Sequence, residues 1–262
     1  MWILSCEILP AMRIAVAGAT GSIGKPVAAA LAARGHEVRA LSRSAPDYPV
    51  DLTTGDGLDA ALEGCDALVD ASNAGPAAKA ARAVLIDGGR RLLDAAGRAG
   101  VSHHVCISIV GIEQVPMPYY EIKVEQEALV RASGLPATIV RATQFHTLIA
   151  MWLRMTARAH VLAGGKARFQ PVAPAEVAEW VADVAEGEPR QETVTIGGPE
   201  VHDLGTLARA YKEAKGLRAA VVPMPLPPRL GKAMKRGALT IAQPDHRGTT
   251  TFAEWLRGHG KA

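Results

Sequence analysis

The segment Arg13-Ile14-Ala15-Val16-Ala17-Gly18-Ala19-Thr20-Gly21-Ser22-Ile23-Gly24 decides the fold. A short apolar run with strand character leads into three glycines spaced three and three. An Ala-rich stretch follows over residues 22–34, with Ile23, Val27 and Leu31 at helical spacing, until Gly35 stops it. The same alternation repeats outward from this segment. Strands are expected at residues 37–41, 66–70, 103–109 and 137–141, and helices at 77–97 and 119–132. Strand, helix, strand in repetition implies α/β architecture, a parallel sheet with helices on both faces. Right-handed crossovers then make the sheet doubly wound.

Past Gln144 the pattern loosens. A helix is expected at 147–159, a strand at 167–172, a helix at 175–186 and a strand at 192–196 that ends at Gly197-Gly198-Pro199. A helix at 204–214 and a stiff Pro-rich connector at 223–228 follow. The expected organisation is an N-terminal extension over residues 1–11 and a single domain over 12–262. Residues 144–262 contribute a small C-terminal substrate-binding lobe to that domain, not a second autonomous one.

Composition narrows the function. The chain has 262 residues, 48% hydrophobic and 21% charged, so it is neither disordered nor fibrous. Lys and Arg number 29 against 26 Asp and Glu, and the net +3 is too mild and too mixed to imply a nucleic-acid or membrane partner. Cys6, Cys65 and Cys106 are odd in number and far apart, which suits a reducing cytoplasm better than a disulfide framework. No apolar run reaches the roughly 18 residues of a bilayer span. His103-His104 has no partner at metal-ligand spacing, so no metal is expected. The expected partner is a small-molecule substrate, and the expected state is a cytoplasmic monomer or homodimer.

In the opening segment each glycine has a separate task. Gly18 allows the tight turn, Gly21 lets backbone amides approach a pyrophosphate, and Gly24 lets the helix pack close to the strand. The helix N-terminus adds free N–H groups and roughly half a positive charge. Thr20, Ser22 and Ile23 complete this dinucleotide cradle. The end of the second strand selects the dinucleotide. An acidic residue there would hold a ribose 2′-hydroxyl, but the chain has Leu41-Ser42-Arg43-Ser44. Arg43 suits a 2′-phosphate, with Ser42 or Ser44 as hydrogen-bond donor, which points to NADP(H).

Gly18-x-x-Gly21-x-x-Gly24, the strand-end Ser108 and Tyr119-x-x-x-Lys123 resemble a short-chain dehydrogenase/reductase. More narrowly, the chain is similar to the atypical, NmrA-like branch of NAD(P)H-binding proteins. The segments from Ser108 to Lys123 and from Ser133 to His146 carry most of that likeness, which extends over residues 12 to about 200. The resemblance implies a Rossmann fold. It also implies that Asp51, after a third strand, contacts the adenine amino group, that Ser72 and Asn73, after a fourth, neighbour the ribose, and that Lys123 holds the nicotinamide ribose.

Tyr119 and Lys123 are four apart on an expected helix and so project from one face. A free tyrosine has a pKa of about 10, and a nearby ammonium lowers it; bringing it to about 7 corresponds to about 4 kcal/mol. That makes Tyr119 a candidate general acid. Ser108 is a candidate donor to the substrate oxygen, whose charge changes during hydride transfer. Tyr120 competes with Tyr119, although its spacing to Lys123 is only three. The expected function is NADPH-dependent reduction of a carbonyl, or a related C=N or quinone, of a small organic substrate. The alternatives are a non-catalytic NADP(H) sensor of the NmrA type, or an epimerase or dehydratase using the same cofactor.

Gln144, Phe145 and His146 follow a strand and are candidate substrate-pocket residues, because open α/β sheets bind ligands outside the carboxyl ends of their strands. A satisfied structural role for His146 is the competing expectation. Met151, Trp152 and Met155 recur at helical spacing and are expected in the core, with a pocket wall as the alternative. Lys232, Lys235 and Arg236 form a small basic cluster expected on a solvated helix face.

Overall fold

A computed structural model describes residues 10–75 and 77–259. The first strand, β1 (Arg13–Ala17), is followed by α1 (Gly24–Ala33) and β2 (Glu37–Leu41). Next come α2 (Leu58–Leu62), β3 (Ala67–Asp70) and α3 (Ala78–Arg82), which continues through a π-helical turn, Ala83–Gly88, into α4 (Gly89–Ala99). Then follow β4 (His103–Ile109), α5 (Pro118–Ala132), β5 (Ala137–Ala142) and α6 (His146–Ala157). The remainder comprises β6 (Val161–Gly164), β7 (Arg168–Phe169), α7 (Pro174–Glu186), β8 (Thr193–Gly197), β9 (His202–Asp203), α8 (Leu204–Ala214), β10 (Ala220–Pro223), α9 (Pro228–Lys235), β11 (His246–Arg247) and α10 (Phe252–Gly258).

Seven strands form one parallel sheet in the order β11-β8-β5-β4-β3-β1-β2. Its interior strands are apolar on both faces, as burial under two helical layers demands. Ile14 and Val16 of β1 pack with Val27 and Leu31 of α1 and with Val177 and Val181 of α7. Ala15 and Ala17 face the other way, toward Leu58 and Leu62 of α2 and Leu92 and Ala96 of α4. This is the expected doubly wound Rossmann-like architecture. The strand order reverses between β1 and β3, so the loops after these two strands face each other across a crevice.

A second apolar cluster lies in the C-terminal part. It includes Ile149 and Leu153 of α6, Leu162 of β6, Leu207 of α8, Met234 of α9 and Phe252 of α10. Val115, between β4 and α5, is buried in the same cluster, and Met117 and Tyr120 pack against it. The two-stranded ribbons β10-β6 and β7-β9 belong to this lobe.

Several local expectations are corrected. The strand expected before Asp51 is reduced to an isolated bridge between Ser42 and Pro49, because proline lacks a ladder N–H. The helix expected over 77–97 is interrupted by its π turn. The strand expected over 167–172 is limited to β7, plus a bridge from Val172 to Phe145. Met151 and Met155 are exposed rather than core, while Trp152 lies edge-on to Phe169 at 6.0 Å. Of the expected N-terminal extension, residues 1–9, including Cys6, lie outside the described residues.

Candidate functional site

The glycine loop follows β1 into the crevice. Gly18 has φ of +74°, the left-handed region that disfavours a side chain, and a Cβ there would meet the Ala71 carbonyl oxygen at 2.7 Å and Ser72 Cα at 2.9 Å. At Gly24 a Cβ would lie 2.2 Å from the Gly18 oxygen. The loop is held open by its own backbone: Gly18 N donates to Leu41 O at 3.0 Å and Gly21 N to Gly18 O at 2.9 Å. Ser22, Ile23 and Gly24 amides make no hydrogen bond among the described residues, so the start of α1 presents unpaired donors.

Two buried hydroxyls beside this loop, Ser42 Oγ and Ser72 Oγ, have no hydrogen-bond partner among the described residues. Buried polar atoms are normally paired, and an orphan hydroxyl here is free to take a partner from a bound group. A side-chain-free cradle, unpaired amides and flanking orphan hydroxyls suit the diphosphate and ribose of a dinucleotide. The Arg43 side chain is exposed at the end of β2. Asp51 Oδ1 accepts from Thr53 N at 2.8 Å and Thr53 Oγ1 at 2.7 Å, and these bonds hold the carboxyl below its ordinary value.

Helix α5 begins at Pro118, which suits the first helical turn because its missing N–H has no partner there in any case. Tyr119 follows, and its hydroxyl donates to Asn73 Oδ1 at 3.1 Å. Burial pushes the Tyr119 phenol above its ordinary value, only partly offset by Asn73. Tyr120, its ring 5.9 Å away, is pushed up to about 12 by burial and by its neighbour. The ammonium expected to lower the Tyr119 pKa is engaged elsewhere. Lys123 Nζ donates to the Ile107 carbonyl at 2.9 Å and to Gln126 Oε1 at 2.5 Å. The structure thus brings Tyr119 to Asn73, and Lys123 to the carboxyl half of β4, without pairing the two side chains.

Ser108, the expected donor to a substrate oxygen, already has a partner in the structure. Its Oγ donates to Glu127 Oε1 at 2.6 Å, and it is 2% exposed. Glu127 is 1% exposed and also accepts from Arg141 Nε at 2.8 Å and Arg131 at 2.9 Å. Burial pushes its carboxyl up, but the bonds from Arg141 and Ser108 outweigh that and hold it below its ordinary value. Ser108 therefore completes a buried ion cluster between β4, β5 and α5.

The three expected pocket residues lie at the carboxyl end of β5, all with defined surroundings. Gln144 Nε2 donates to Leu239 O at 2.7 Å, and Gln144 Oε1 accepts from Gln170 N at 3.0 Å. Gln170 in turn donates to Gly198 O and accepts from Ile241 N. This double-glutamine clip straps residues 239–241 across the carboxyl ends of β5 and β8. Phe145 packs against the sheet core. His146 is fully buried, with its ring 5.5 Å from both Phe252 and Trp255, and burial lowers its pKa to about 4. Its ring is neutral at pH 7, and neither ring nitrogen has a hydrogen-bond partner among the described residues.

Sequence reasoning missed Gln126, Glu127, Gln170 and Asp70. Gln126 and Glu127 lie three and four residues after Lys123, and so on its helix face; that spacing is the signal that would have found them. Gln170 carries no comparable local signal. Burial pushes the Cys106 thiol up to about 12, which leaves it inert. Among the described residues no group of three His, Cys, Asp or Glu could hold a metal, and no helix is long and apolar enough to cross a membrane. A cleft of about 200 Å³ lies in the C-terminal lobe, lined by Gly164, Lys166, Leu204, Met224, Leu226 and Lys235, with none of the glycine-loop residues or Tyr119 on its wall.

Comparison with known proteins agrees with this fold. The chain is 28% identical over 148 residues to "Photosystem II assembly factor Ycf39" of Trieres chinensis, which covers 52% of this chain and 46% of that protein. It thus spans about half the length of the curated relatives it matches. Among solved structures, a nucleoside-diphosphate-sugar epimerase of Staphylococcus aureus superposes with a TM-score of 0.76 at 21% identity, over 94% of this chain and all of that one. An NADPH-dependent quinone oxidoreductase of Escherichia coli superposes with a TM-score of 0.71 at 19% identity, over 94% of this chain and 99% of that one. These likenesses show the shared fold. A family model described as NAD(P)H-binding matches residues 18–188, from the first glycine of the cradle to the end of α7, and on that match the chain belongs to the NAD(P)H-binding family.

Proposed function

We propose that the chain is an NADPH-dependent oxidoreductase that reduces a carbonyl, or a related C=N or quinone group, of a small organic substrate, with Tyr119 as proton donor. The observation that carries this reading is the Tyr119 hydroxyl held at Asn73, on the loop that touches the glycine cradle. The cofactor supplies hydride when bound. Gly18, Thr20, Gly21, Ser22, Ile23 and Gly24 would hold its diphosphate. Ser42 and Arg43 would take a 2′-phosphate, Asp51 the adenine amino group, and Ser72 and Asn73 the ribose.

Lys123 has three N–H donors and two of them are engaged, which leaves one for the nicotinamide ribose. A phenol carries its proton at neutral pH and can donate it, although burial moves Tyr119 away from the value near 7 at which it would donate best. Ser108 would orient the substrate oxygen from within its bond to Glu127, and Asn73 positions the Tyr119 hydroxyl. Asn73 Oδ1 accepts from Tyr119 and from Gly75 N, and its N–H groups remain available. The free, buried cysteines Cys65 and Cys106 fit action in a reducing cytoplasm.

The Ser108–Glu127 bond favours one second reading, a non-catalytic NADP(H)-sensing regulator, because a sensor needs no serine at the substrate oxygen. One experiment separates the two. NADPH oxidation is followed against carbonyl, quinone and imine panels, beside Tyr119→Phe and a fluorescence titration of NADPH. Turnover lost in Tyr119→Phe supports the reductase. Tight NADPH binding without turnover on any panel member supports the sensor, and no affinity for either nicotinamide dinucleotide overturns both.

A further inference from the structure

We infer that Asp70 and Gln126 are positioning residues: a buried carboxylate–amide–ammonium chain that holds Lys123 and the Asn73 loop in register. The inference rests on the role given to Lys123 above. Asp70 closes β3 and is 3% exposed. Its Oδ2 accepts from Gln126 Nε2 at 3.0 Å, and Gln126, 2% exposed, accepts through Oε1 from Lys123 Nζ at 2.5 Å. The same carboxylate uses Oδ1 to accept from Ser72 N at 2.9 Å.

Lys123 is 4% exposed and has no carboxylate within ion-pair distance among the described residues. A buried ammonium needs compensation, and here it arrives through an amide polarised by Asp70 on its far side. Asp70 therefore does two things at once. It orients Gln126 so that the amide oxygen, not the amide nitrogen, faces Lys123, and it anchors the start of the loop whose next residue, Asn73, receives the Tyr119 hydroxyl. One buried carboxylate thereby sets the relative placement of the ammonium and the phenol, although those two groups do not touch. With Nζ pinned on Ile107 O and Gln126 Oε1, its remaining N–H has a fixed direction.

The polarity of the chain makes it testable by reversal. Asp70→Asn sets an amide donor against the Gln126 donor. Gln126→Glu sets a carboxylate against Asp70. Combined, the new amide donates to the new carboxylate, which still accepts from Lys123. Three readouts are taken on the full chain: the Lys123 ε-methylene NMR resonance without cofactor, the NADPH Kd, and the amount of folded protein. Each single variant is expected to move the resonance and weaken NADPH binding about tenfold, and the double variant to return within about twofold of wild type. Where a single variant fails to fold, recovery of folded protein in the double variant supports the chain. A double variant no better than the weaker single one, or an unchanged Lys123 resonance in all three, overturns it. If wild type binds no NADPH, the functional reading fails, while the resonance still reports on the chain.

Discussion

Ser108 Oγ donates to Glu127 Oε1 over 2.6 Å, and both residues are almost wholly buried. The strand-end serine thus joins the ion cluster of Glu127 with Arg141 and Arg131. Ser108→Ala is therefore expected to lower stability by about 1–3 kcal/mol, the value of a hydrogen bond to a buried charge, and, with the substrate oxygen no longer oriented, to lower turnover by about two orders of magnitude. Urea midpoints and NADPH oxidation read the two effects separately. Turnover near wild type would remove Ser108 from the site.

Tyr119→Phe removes the phenol and keeps its ring. Turnover is expected to fall about 10²–10⁴-fold, the usual contribution of a positioned proton donor, with the NADPH Kd nearly unchanged. Steady-state rates and a fluorescence titration check this. Tyr120→Phe, by contrast, alters a residue packed against the C-terminal lobe and is expected to leave the rate within a small factor.

Arg43 stands exposed at the end of β2, where the other residue of the pair, Ser42, carries an orphan hydroxyl. Arg43→Ala is expected to weaken NADPH about 10–100-fold, the loss of a charged hydrogen bond worth about 1.5–3 kcal/mol, and to leave NADH unaffected. Equal losses for both cofactors would remove Arg43 from 2′-phosphate recognition.

Gly24→Ala places a methyl group 2.2 Å from the Gly18 carbonyl, which is backbone and cannot swing aside. Forced separation of α1 from the loop is expected to cost about 1–3 kcal/mol and to weaken NADPH binding together with stability. Differential scanning calorimetry should show a lower Tm, by about 2–4 °C per kcal/mol. Unchanged Tm and binding would contradict the close packing described here.

His146 is neutral in the folded core because burial lowers its pKa from 6.5 to about 4. The unfolded chain binds the proton first as pH falls. Stability should therefore decline as pH drops through about 6.5 toward 4 and level off below, by about 3 kcal/mol for this residue. His146→Leu is expected to flatten that window without losing the packing against Phe252 and Trp255. Urea midpoints at several pH values decide it, and an undiminished slope in the variant would place the effect elsewhere.

The local pattern determined the sheet, the glycine cradle and the helix that carries Tyr119 and Lys123. These features depend on short-range rules: alternation of strands and helices, glycines where backbone approaches backbone, and side chains four apart on one helical face. The turn at residues 18–24 and the helix expected over 119–132 therefore lie where their own neighbourhoods put them. Only the tertiary structure decided where the polar side chains of the interior point. Ser108 and Glu127 are 19 residues apart, Gln126 and Asp70 are 56 apart, and Gln144 reaches Leu239 across 95. A buried hydroxyl or amide takes whichever donor or acceptor the packed layers bring to it, and that choice is made between elements far apart in the chain. For the same reason Met151 and Met155 face solvent despite their helical spacing: whether an apolar stripe is covered depends on its neighbour, not on its period.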